Sequence, residues 1–212
     1  MSHLKRRACA LLAIVATASM QVASADDIID SQPYVTTHGD TRTKVLPTGT
    51  VAYMVAYDTS SVDIFGGHVS HLTMNDDSSV QLMFGDVSHL TLNDTTVATV
   101  AGGEVSHVTL NDSTTAIVAN GEISWLNVYD NSKATILGAA ALSWLVVSET
   151  SRVDIYVTDA TYSNGHLSGT WLNGAPFQFR VAIGSFGAPS TTPTELPPNI
   201  TLLSVPSAPA HR

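Results

Sequence analysis

Three histidines at a constant interval carry the first chemical signal in this chain. His71, His89 and His107 each follow Val-Ser and precede an aliphatic residue, one every 18 residues. Neutral imidazoles bind divalent metals, but a column made only of histidine offers no defined tetrahedral set. The same column continues as Tyr53 on one side and as Trp125 and Trp144 on the other. That flanking favours plain stacking of rings, and no metal-ligand set is assigned. A second column is acidic: Asp58, Asp76, Asp94, Asp112, Asp130 and Glu149. Carboxylates stacked at strand spacing repel by roughly 1 kcal/mol per neighbour in water, so something must offset them. Backbone amides of turns are one source, and Ca2+ is the other, its ligands being carboxylates and carbonyls.

The elements that position these columns come from a repeat. Val69-Ser70-His71-Leu72-Thr73-Met74-Asn75-Asp76 recurs from Val87 and again from Val105. With Ala52, Ser70, Ser88, Ser106, Ser124 and Ser143 as anchors, six copies align. Two positions on stand Met54, Leu72, Leu90, Val108, Leu126 and Leu145, and aliphatic columns follow at alternate positions. Alternation with period two means strands with one buried face. A turn on Asp-x-Ser/Thr separates two strands in each copy, and glycine closes most copies. So short a unit cannot bury its own apolar face, and stacking the copies solves that. The expectation is an all-β, parallel β-solenoid of about six coils, right-handed, with a C-terminal hairpin cap. The Tyr/His/Trp column should face outward beside Thr73, Thr91, Thr109 and Asn75, Asn93, Asn111.

Composition narrows the function. The 212 residues hold nine basic and 18 acidic side chains, for a net charge of −9. Residues 1–25 read as a secretory signal: Lys5, Arg6 and Arg7, then a short apolar run, then Ala23-Ser24-Ala25. Its removal would take three basic residues and no acid, leaving −12, together with the single cysteine, Cys9. Such a chain does not suit nucleic acid. No later segment is long and apolar enough for a membrane span. The expected layout is signal peptide 1–25, lead-in or cap 26–48, repeats 49–158, hairpin cap 159–187 and a Pro/Ser/Thr-rich tail 188–212. Two strands around Asn173-Gly174 suggest a type I′ hairpin for the cap.

The repeat V-S-x-L-x-L-N-D-x-S/T with closing glycines resembles bacterial secreted β-solenoid repeat proteins, including adhesin-like surface proteins. The resemblance spans about residues 49–158 and implies architecture, not catalysis. No catalytic residue is assigned: the repeats carry only Lys133 and Arg152 as bases and no known hydrolase motif. The reading is a structural or adhesive protein of the cell surface, with a polysaccharide or another surface protein as partner. A calcium- or carbohydrate-binding module is the alternative, and an enzyme acting on polysaccharide a distant third.

Overall fold

The computed structural model describes residues 27–139, 141–187 and 189–204, so the signal segment lies outside the described residues. The chain is all β, a parallel β-solenoid of about seven turns with a spacing near 18 residues. The first strands are long: β1 (Asp27–Thr37), β2 (Arg42–Ala56), β3 (Ser61–Met74) and β4 (Ser79–Leu92). Each pairs in parallel with the next. Above β4 each turn is divided in two. One ladder runs through β5 (Val97–Val100), β7 (Thr115–Val118), β9 (Lys133–Ile136) and β11 (Arg152–Ser163). The other runs through β6 (Glu104–Leu110), β8 (Glu122–Val128) and β10 (Ala141–Val147).

The alternating aliphatics explain this stack. Met54, Leu72, Leu90, Val108, Leu126 and Leu145 are all buried in register, and the other aliphatic columns join them in one core. Burial of apolar area, at about 25 cal/mol per Å2, is what a single copy could not achieve and what seven stacked turns do. The strands bend at the anchor. Val69 is buried, Ser70 and His71 both face away from the core, and Leu72 is buried again. Two successive outward residues make a corner there, which simple alternation does not predict.

Glycine makes another corner. Gly103 has φ +79, and a Cβ on it would stand 2.5 Å from the Gly85 carbonyl oxygen of the coil below. Only a residue without a side chain lets two backbones approach so closely with that φ.

Both ends differ from the sequence expectation. Residues 27–48 are a further turn, not merely a lead-in: β1 pairs with β2 through Thr37 opposite Ala56, and Tyr34 lies opposite Tyr53. At the other end β11, β12 (His166–Trp171) and β13 (Pro176–Ile183) form an antiparallel set of three. The type I′ geometry belongs to Asn164-Gly165, with φ 51 and 77, and not to Asn173-Gly174, where only the glycine has positive φ. The later half of β13 then returns to pair in parallel with β10. The segment read as a tail supplies β14 (Ile200–Ser204), which pairs in parallel with β11. No helix among the described residues is long and apolar enough to cross a membrane.

Candidate functional site

The aromatic column forms one continuous stack. Tyr53, His71, His89 and His107 follow each other with ring centroids 4.8, 4.8 and 4.9 Å apart. Trp125 lies 6.1 Å beyond His107, and Trp144 lies 4.8 Å beyond Trp125. The planes are parallel within 14° throughout. This is the offset stacking that aromatic quadrupoles favour. Its spacing is imposed by the strand ladder.

The stack decides between two chemistries. Rings repeated by one translation keep equivalent nitrogens 4.8–4.9 Å apart. Two nitrogens on one zinc, at about 2.1 Å each, cannot stand more than about 4.2 Å apart. Neighbouring histidines would have to leave the strand spacing to share an ion. Among the described residues no group of three or more His, Cys, Asp or Glu is arranged to hold a metal ion. Stacking also hides the ring faces against one another, so the column presents ring edges to solvent.

His107 is the half-buried histidine of the column, and its Nδ1 is buried with no hydrogen-bond partner. Burial, and then the charge of His89, hold its pKa below the usual imidazole value of 6.5. A proton therefore binds the unfolded chain more readily than the folded one, and stability falls as pH drops below about 6.5 until His107 itself titrates. Urea melts at pH 7.5 and 5.5 should show this loss. His107→Phe, which keeps a ring between His89 and Trp125, should lose less on acidification. An equal loss in both proteins would remove His107 from the explanation.

The acidic column solves its repulsion with backbone. The Asp76 carboxylate accepts from the amide of Asp58 at 3.0 Å, that of Asp94 from Asp76 at 3.0 Å, and that of Asp112 from Asp94 at 3.1 Å. Asp58 takes the amide of Gly39 at 2.9 Å, and Asp130 takes that of Asp112 at 3.2 Å. Each carboxylate thus reaches one coil back, not into its own turn. These five aspartates also sit at φ 52–59, a left-handed conformation that Asp tolerates better than most residues. Glu149 ends the column and makes no such bond. The Ser/Thr column beside it points inward: Ser60, Ser78, Thr96, Thr114, Ser132 and Ser151 are buried. Ser60, Ser132 and Ser151 donate to carbonyls three residues earlier. Next to them Asn75, Asn93 and Asn111 form an amide ladder, each step 2.9 Å.

Two features escaped the sequence reading. A further outward column, His68, Asp86, Glu104 and Glu122, runs in register two residues before the anchor. Its members change type from coil to coil, which hides them from column inspection. The ladder also has one more member, Arg180. Its guanidinium lies 4.9 Å over the Trp144 ring. Arg180 stands two repeat lengths after Trp144, so the period itself was a signal. The intervening hairpin masks it.

Arg180 closes a cleft of about 740 Å3 between the start of β10 and the start of β13. Trp144, Ser143, Phe177, Gln178 and His166 line it with Arg180. No protein-family model matches this chain, and no curated protein or solved structure matches it.

Proposed function

We propose that this chain is an exported structural or adhesive protein of the cell surface or matrix, and that its solenoid contacts polysaccharide. The observation that supports the reading is the straight, rung-spaced outer face, in which rings, serines, threonines and asparagines repeat coil after coil. Repeat proteins use such extended faces for binding. The rings stiffen that face and offer N–H and C–H edges beside hydroxyl and amide groups, a surface suited to polymer hydroxyls. The basic, apolar and small-residue order of residues 1–25 supports export, and the repeat's likeness to secreted adhesin-like proteins supports the surface role. The carbohydrate partner is favoured over calcium because the aspartates already bond amides. Nothing in the repeat columns converges as a catalytic site does.

The test is retention of residues 26–212 on a panel of insoluble polysaccharides. Binding to at least one, reduced tenfold or more in the Trp125→Ala/Trp144→Ala double variant, is the expected result. Binding to none of them, or binding indifferent to both tryptophans in a folded variant, would overturn the reading.

A further inference from the structure

The cleft at the C-terminal end has a chemistry that the repeat columns do not. β10 and β13 run together only from Trp144 opposite Arg180 to Val147 opposite Ile183. Before that point β13 follows β12, from Pro176 opposite Thr170 to Phe179 opposite Leu167. Ala141–Ser143 therefore have a strand below them, β8, and none above. Two strands that part in this way leave a fork, and the cleft is the opening of the fork. Arg180 stands at its apex.

The charge of Arg180 is unanswered. Arg42 pairs with Asp63, and Lys133 and Arg152 both pair with Asp154. No carboxylate among the described residues pairs with Arg180. Its Nε donates to His166 Nε2 at 3.2 Å, and His166 Nδ1 lies 3.1 Å from the Asn164 carbonyl. Those two contacts are consistent with one tautomer: neutral His166 donates from Nδ1 and accepts at Nε2. The imidazole and the Trp144 face together fix the guanidinium plane. A guanidinium held in this way presents a planar fork that matches a carboxylate. An unneutralised guanidinium at a cleft attracts an anion locally.

We propose that this cleft binds a carboxylate-bearing sugar, a uronic-acid unit, with Arg180 pairing to the carboxylate. The inference rests on the polysaccharide reading above and names its substrate class. Ser143 and Gln178 supply hydroxyl-matching donors and acceptors, and Phe177 with the Trp144 edge supplies apolar wall for sugar C–H groups. The outward column of His68, Asp86, Glu104 and Glu122 sets the length. Glu122 lies directly below Ala141 at the cleft, and Glu104 and Asp86 follow below it. A long polyanion laid down the face would meet these carboxylates. The cleft therefore takes a terminal or branching uronate, and units beyond the first few add no affinity.

Calorimetric titration with trigalacturonate, against a neutral trisaccharide of similar size, tests this on residues 26–212. The expected result is saturable binding of the trigalacturonate, at least tenfold tighter than the neutral sugar. Arg180→Gln should lose tenfold or more, and Arg180→Lys should retain part of the affinity. Arg152→Gln, whose charge answers Asp154 elsewhere, should bind like the parent. Hexagalacturonate should bind no more than about threefold tighter than the trimer. Equal affinity for charged and neutral sugars, or an unaffected Arg180→Gln, overturns the cleft assignment. Displacement by acetate at equal concentration would do the same for its sugar component. If retention on insoluble polysaccharide persists through such a failure, the adhesive reading stands without this site. If retention and titration both fail, both are overturned.

Discussion

Replacing Trp171 by alanine is expected to cost about 3–5 kcal/mol of stability, the range for truncating a large buried aromatic side chain. Trp171 ends β12 and is 1% exposed. Its ring lies 4.1 Å from Phe177 and 6.4 Å from Phe179, and it joins the same core as Leu167 and Val181. The residue that precedes the Asn173-Gly174 loop is therefore the plug of the stack's upper end. A solenoid has no closed edge of its own, and an uncovered last rung is a template for another chain. Urea melts should show the loss in Trp171→Ala, and light scattering should show association that the parent lacks. Phe186→Ala is the comparison. Phe186 is 72% exposed and touches Tyr129 edge-on, so its removal should change stability by no more than about 0.5 kcal/mol. If Trp171→Ala behaves like Phe186→Ala, the hairpin decorates the stack and does not seal it.

The contrast between those two aromatics shows what the sequence could and could not disclose. The aliphatic columns were legible because burial in a stack demands the same residue type at the same position in every coil, as at Leu72, Leu90 and Val108. The outward ring column was legible for the same reason, with stacking in place of burial. The first turn was not. Its step from Tyr34 to Tyr53 is one residue longer than the repeat, as is the step from Ser124 to Ser143, but here Pro33 occupies the anchor, so the pattern breaks although the pairing holds. β14 was hidden differently. Ile200–Ser204 carries no copy of the repeat, and its pairing with β11 depends on a return of the chain that no local spacing encodes. Arg180 was missed because the hairpin separates it from the coils, and a candidate site made from column constancy cannot include a residue that occurs once. The cleft is a consequence of where the repeat stops.

The acidic column gives the second large effect, and it separates conformation from charge. Asp94→Ala should cost about 2–3 kcal/mol, the sum of a lost amide cap and of a non-glycine residue without a polar group held in the left-handed region. Asp94 has φ 59, and its carboxylate is the acceptor for the amide of Asp76 at 3.0 Å. Asp94→Asn keeps an acceptor and keeps a side chain that tolerates this φ. It also relieves repulsion from Asp76 and Asp112, so it should fall within about 1 kcal/mol of the parent. Asp94→Gly removes the conformational cost and leaves the amide uncapped, which places it between the two. Thermal melts of all four proteins, with calcium and with chelator, check the order. Bound calcium would raise the parent's melting temperature and lower the rank of Asn, because the ion needs the charge that Asn lacks. Amide capping predicts that calcium leaves the order Asn, Gly, Ala intact. A column of aspartates in a β-solenoid is then a conformational requirement met once per coil, and its negative charge is the burden that the backbone amides offset.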